Sequence, residues 1–267
     1  MPAGRLVNMD IEKAKETIVE FIREKTKEAG VKGAVVGLSG GIDSALTAYL
    51  TVEALGKENV LGIHMPELNM TPAEDVLDAT EVADRLGIDF KTVDISGILA
   101  GYMNSIPESS DSNTHANGNL KARIRMSVLY YYANTMSGMV MGTGNKTEIL
   151  LGYFTKYGDG GVDLEPIGDL YKTEVREMST LVGVPEEIIS KAPSARLWAD
   201  QTDEDELGIT YELVDRFLAL LLEGETPLVA QNTLGITLSQ RDSVLKRINA
   251  NLHKQKAAPI AELRSIR

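Results

Sequence analysis

The chain has 267 residues, 43% of them hydrophobic, which is enough to bury a full core; with no linker or internal repeat we read one domain, 1–267. Lys and Arg number 27 against 39 Asp and Glu, so the net charge of -12 would repel a polyphosphate backbone, and a nucleic-acid partner is not expected. Zero cysteines exclude disulfides, thiolate metal sites, persulfide chemistry and a cysteine nucleophile.

No apolar run approaches the roughly 20 residues that cross a bilayer, and Met1 to Asp10 lacks a signal peptide's charged start and apolar middle. A cytoplasmic protein with no membrane partner is expected. Ile11, Ala14, Ile18, Phe21 and Ile22 recur at helical spacing before Gly30, so the chain opens with an amphipathic helix. Ala34 to Leu38 is a short apolar strand that ends at a glycine turn, and Ala45 to Leu55 is the helix after it.

The pattern then repeats. Val60 to Met65 is strand-like, and Thr71, Pro72 and Glu74 predict a capping box with proline at the first helical position of a helix closed by Gly87. Phe90 to Ile95 gives a third strand, Leu120 to Met136 a helix, and Met139 to Met141 a fourth strand that leads into Gly142 and Gly144. Strands alternating with helices predict an α/β fold: a doubly wound, mostly parallel sheet with helices on both faces. Ligands in such sheets bind beyond the carboxyl ends of the strands, where both glycine turns would lie.

Pro107 to Gly118, rich in Ser, Asn and Asp, and the glycine-dense Gly152 to Gly168 read as exposed loops. Asp200 to Glu206, with its run of acids, reads as an exposed face with no assigned role. A helical run from Ser239 carries Val244, Leu245, Ile248 and Leu252 and precedes His253 and Lys254.

Ser39-Gly40-Gly41-Ile42-Asp43-Ser44 places two glycines where backbone amides approach an anion, hydroxyls on each side, and a helix N-terminus behind them. It is not a Walker A loop, since the lysine of G-x-x-x-x-G-K-[ST] is missing. An ordinary strand-to-helix turn is the plain alternative. Asp43 and Glu148 sit at the two loop ends expected to converge, and paired acidic oxygens suit Mg²⁺ while phosphate oxygens complete its octahedron. Read alone, Glu148 is as readily a helix cap.

The hexapeptide resembles the S-G-G-x-D-S loop of the N-type ATP pyrophosphatases, which cleave ATP between its α and β phosphates to adenylate an oxygen of a substrate. GMP, asparagine and argininosuccinate synthetases, tRNA-modifying enzymes and NAD synthetases share it. Gly118 to Arg123, Gly142 to Glu148, Phe154 to Asp163, Leu170 to Lys172, Lys191 to Ala195 and His253-Lys254 resemble, in order and spacing, the signature blocks of the NAD synthetase family.

That resemblance implies a Rossmann-like fold, a ligase activity and a homodimer. It implies ATP contacts at Gly37, Leu38, Ser39, Gly40, Gly41, Ile42, Asp43, Ser44, Thr143, Lys172 and Ser194, where many relatives carry threonine in place of Ser194. Deamido-NAD contacts fall at Arg123, Lys156, Asp163, His253 and Lys254, and Mg²⁺ at Asp43 and Glu148. Lys172 is a mobile charge for the leaving pyrophosphate in this reading. Glutamine-dependent enzymes of this kind carry a glutaminase domain with a cysteine nucleophile, so free ammonia, or ammonia from a separate protein, is the expected nitrogen donor. The other readings are a different acceptor, such as a tRNA base, and a regulatory module that binds adenine nucleotide without turnover.

Overall fold

The computed structural model describes residues 9–68, 70–192 and 203–262. Four strands, β1 (Gly33–Gly37), β2 (Val60–His64), β3 (Asp89–Thr92) and β4 (Gly138–Met141), form one all-parallel sheet in the order β3-β2-β1-β4. Among the described residues the helices are α1 (Ile11–Glu28), α2 (Ile42–Leu55), α3 (Ala73–Leu86), α4 (Ser96–Ser105), α5 (Thr114–Met136), α6 (Lys146–Leu151) and α7 (Lys172–Val182). They continue as α8 (Glu186–Ser190), α9 (Asp203–Leu207), α10 (Tyr211–Leu222), α11 (Pro227–Leu234) and α12 (Leu238–Asn251).

Side chains alternate across a strand, and the two faces of the sheet accordingly have separate cores. Ala34 and Val36 of β1 pack with α1, α2, α3 and α7, whereas Val35, with Leu61 and Ile63 of β2, packs beneath α5. Helices therefore cover both faces, as the α/β pattern predicts. Leu46 of α2 is fully buried in the first core, where its truncation to alanine would cost about 2–5 kcal/mol. A further cluster, with Leu151, Tyr171, Tyr211, Phe217 and Val244 at its centre, joins α6 and α7 to α10, α11 and α12.

The strand order places the site. From β1 the chain winds to β2 and β3 on one side, then returns to lay β4 against the other side of β1, so the winding reverses between β1 and β4. Their paired ends, Val36 beside Met141, release the two glycine turns as neighbours at the crevice where ligands of open parallel sheets bind.

Several local expectations change. Pro72 stands outside the third helix as its N-cap, and the Thr71 hydroxyl turns back to accept from the Glu67 N–H at 2.9 Å, so no capping box forms there. The segment Pro107 to Gly118 is only partly loop, because α5 begins at Thr114, and the third strand stops at Thr92, where Asp94 accepts from the Ser96 N–H at the start of α4. Asp203, expected on an exposed face, is 3% exposed because the hydroxyls of Tyr211 and Tyr153 donate to it at 2.9 and 3.2 Å. Asp200 lies outside the described residues.

Candidate active site

The first turn closes on itself. The Ser44 hydroxyl accepts from the Ser39 N–H at 3.1 Å and donates to the Gly41 carbonyl at 2.9 Å, and the Ser39 hydroxyl accepts from the Gly41 N–H at 3.2 Å. Gly40 has φ +84°, a left-handed conformation, and a Cβ there would stand 2.5 Å from the Asp75 carbonyl oxygen, so glycine is required twice over. Gly41, the N-cap of α2, makes no side-chain cap, which leaves the first amides of that helix facing the crevice.

The second turn is braced from outside. Glu165 accepts from the Gly144 N–H at 3.2 Å, and a Cβ at Gly142 would come within 2.3 Å of the same carboxylate. Beyond the turn, Asn145 caps α6 and forms a capping box with Glu148: each side chain accepts from the other's backbone N–H, at 3.0 and 3.2 Å. Asn145, fully buried, also donates through Nδ2 to Asp43 Oδ1 at 2.9 Å, across 102 residues of sequence. The two turns are thereby joined.

Lys172, the first residue of α7, completes the cluster. Its ammonium donates to Asp43 Oδ2 and lies 3.6 Å from Glu148 Oε1. It is 2% exposed, and its ammonium lies over the Tyr211 ring, 5.4 Å from the ring centre. Burial opposes the charge on this lysine, but the pull of Asp43 and Glu148 is greater, and its pKa lies above the usual value. Burial, with Asp43 nearby, pushes Glu148 up to about 8. The backbone at the lysine is fixed from α6 and α10: Thr147 Oγ1 accepts from the Lys172 N–H at 3.1 Å, and buried Asp215 accepts from Thr147 and from the Thr173 N–H at 2.9 Å. The expected mobile charge is instead a held one.

The other candidate residues gather around the Gly152–Gly161 loop. Arg123 donates to the Lys156 carbonyl at 3.3 Å and lines a cavity of about 700 Å³ with Asn113, Thr114, His115 and Asn119. Lys156 Nζ donates to the carbonyls of His253 and Lys256 at 2.7 and 3.0 Å, and Lys254 Nζ returns the contact to Gly152 and Phe154, both at 2.7 Å. The C-terminal basic pair is thus latched onto the loop. Asp163 stands apart from them, accepting from the Val140 N–H at 2.8 Å and the Tyr130 hydroxyl at 3.0 Å. Thr143 lies within the second turn, and Ser194 lies outside the described residues.

A family model described as NAD synthase matches residues 14–258. The chain belongs to the NAD synthase family. It is a ligase, and it is 59% identical to the NH(3)-dependent NAD(+) synthetase of Methanococcoides burtonii over 259 residues, 97% of this chain and 98% of that one. Among solved structures, it is similar to an NMN synthetase from Francisella tularensis, with TM-score 0.85 and 32% identity over 96% of this chain and all of that one. The NH3-dependent NAD synthetase of Campylobacter jejuni superposes with TM-score 0.80 at 33% identity, over 95% of this chain and 100% of its own.

Sequence reasoning passed over Asn145, Asp203, Asp215 and Glu165. Asn145-Lys146-Thr147-Glu148 carries the cap-x-x-Glu spacing and was legible as a capping box. Asp215 and Glu165 act through partners far away in sequence, and no local pattern marks them.

Proposed function

We propose that the chain amidates deamido-NAD with ammonia to give NAD, through an acyl adenylate, with release of AMP and pyrophosphate. The observation that carries this reading is the joint engagement of Asp43 and Glu148, from two separate turns, with one buried lysine beside the N-terminus of α2. Such a constellation suits a triphosphate and a divalent cation. ATP is the substrate the family implies.

The donor set fits Mg²⁺, which takes one or two carboxylates and completes its shell with phosphate oxygens. Asp43 and Glu148 would hold it; when bound, it supplies charge neutralisation on the departing pyrophosphate. The amides at the start of α2 and the Ser39 and Ser44 hydroxyls bind phosphate oxygens, and Lys172 contributes a fixed positive charge on the same side. A preorganised charge gives up no reorganisation energy as negative charge develops.

The nicotinate carboxylate attacks the α-phosphorus, and ammonia then attacks the acyl carbon and expels AMP. Arg123, Lys156, His253 and Lys254 hold the dinucleotide near the Gly152–Gly161 loop, which covers the adenylate and limits its hydrolysis. No covalent enzyme intermediate is needed, and positioning carries much of the rate. Ammonia as donor is supported by the absence of any cysteine and by the end-to-end match with a relative named NH(3)-dependent.

The test combines purified protein with MgATP, deamido-NAD and ammonium and measures NAD and AMP. ADP as product would contradict the bond assignment. The likeness to an NMN synthetase motivates a parallel arm with nicotinate mononucleotide; a higher kcat/KM in that arm would change the acceptor and leave the chemistry unchanged.

A further inference from the structure

The anion-binding turn is also gripped from behind. Lys191, the residue after α8, donates through Nζ to the Gly40 carbonyl at 3.3 Å and to Asp75 Oδ1 at 2.9 Å, and it is hydrogen-bonded to Asp78 Oδ2 as well. Asp75 and Asp78 sit three residues apart on α3 and so share one face of that helix. The seam is closed: the Lys191 side chain is 18% exposed and those of Asp75 and Asp78 are 4% and 15%. Burial opposes the lysine's charge, but the two aspartates overcome it and its pKa lies above the usual value.

The Gly40 carbonyl belongs to the same rigid peptide plane as the Gly41 N–H, and the two point in opposite directions. A peptide flanked by two glycines lacks the Cβ clashes that normally fix its orientation, so a flip has little steric barrier. Flipping it would aim a carbonyl dipole at the crevice, where a phosphate would be repelled. With the carbonyl drawn back onto Lys191 and α3, the Gly41 N–H faces the other way, toward Ser39 Oγ.

We propose that Lys191 is a positioning residue that locks the Gly40–Gly41 peptide in its anion-binding orientation, with Asp75 and Asp78 holding the lysine in place. The proposal rests on the reading of this turn as the triphosphate site. It assigns Lys191 a role in ATP affinity without contact to ATP, in contrast to Lys172, which faces the crevice. A lysine that touched phosphate would be weakened by its two aspartates; a lysine that orients a peptide needs them.

The experiment compares Lys191→Met, Lys191→Arg and Asp78→Asn with the parent chain, first without nucleotide. Amide hydrogen exchange read by mass spectrometry on the segment 38–44 is expected to speed up by about tenfold in Lys191→Met, with β2 still protected. Lys191→Arg retains a donor and is expected to stay within about threefold of the parent. In steady state, KM for ATP rises by roughly tenfold in Lys191→Met while kcat and KM for the second substrate move less than about threefold, the mark of a binding effect. Asp78→Asn moves KM for ATP in the same direction by a smaller factor. Unchanged exchange in the 38–44 segment of Lys191→Met would overturn the proposal, as would a lower KM for ATP in Asp78→Asn, which is the behaviour of a direct phosphate ligand. If the parent chain consumed no ATP, the functional reading would fail, and the exchange measurement would still decide whether Lys191 locks the peptide. Should Lys191→Met fail to fold by circular dichroism, Asp78→Asn carries both measurements.

Discussion

Between Ser39 and Ser44 the chain closes its turn with hydroxyls five residues apart, whereas between Gly142 and Glu148 the closing groups come from far along the chain, Glu165 from one side and Asp43 from the other. Thr47 of α2 also donates to the Gly142 carbonyl at 3.5 Å, so the second turn leans on the first. A turn that holds its own shape can present amides to an anion before ligand arrives. A turn braced by distant groups positions its carboxylate only when the whole crevice is assembled. Preorganisation of the first turn comes largely from its own hydroxyls, with Lys191 holding one peptide from behind, whereas that of the second depends mainly on distant groups.

The comparison can be broken most decisively at Lys172, which touches the carboxylates of both turns. Lys172→Met leaves Asp43 and Glu148 facing each other without that cation; we expect a loss of about 3–5 kcal/mol in thermal or urea unfolding. AMP formation in the same variant should fall by about a thousandfold, measured under saturating substrates. An unchanged melting temperature would mean that the two turns do not depend on the lysine for their approach.

Glu165 provides a pH readout of the second turn alone. Burial pushes its carboxyl up to about 8 from an ordinary 4.5, so the folded chain keeps a proton that the unfolded chain releases within that window. The stability linked to this group is therefore fully present below 4.5 and is lost as pH rises toward about 8. Glu165→Gln should flatten that decline by roughly 2–4 kcal/mol, seen as a smaller change in unfolding midpoint across the window.

The glycines separate the turns more finely. Gly142→Ala drives a methyl into Glu165 and Val162 and is expected to cost about 1–3 kcal/mol, partly recovered when Glu165→Ala is added. Gly41→Ala meets nothing nearer than Ser39 Oγ at 3.3 Å in an extended backbone, so its cost in unfolding experiments should be only about 0.5 kcal/mol, the ordinary preference at an N-cap. Equal costs at the two positions would erase the distinction.

Local chemistry wrote the shape of the first turn plainly: serine, paired glycines, aspartate and serine between an apolar strand and a helix specify a tight glycine turn closed by its own hydroxyls. The alternation of strands and helices likewise specified a parallel α/β sheet, and the hydrophobic spacing located α1, α2 and α5 to within a few residues apart from the early start of α5 at Thr114. The errors fell where a group found a partner other than its sequence neighbour, as when Thr71 turned to Glu67 instead of capping α3, or when Asp203 left its acidic run to accept from two tyrosines.

By itself, the sequence determined the sheet, the glycine turn after β1 and the residue types of the candidate site, because these follow from periodicity and from bonds made within a few residues. The tertiary structure decided that Lys172 is held between Asp43 and Glu148, that Glu148 both caps α6 and faces this cation, and that Asp215, Glu165 and Lys191 buttress the turns. Those relations depend on the order β3-β2-β1-β4, which sets β4 beside β1. Contacts between residues a hundred positions apart leave no periodic trace in the chain, and only the packing of the sheet creates them.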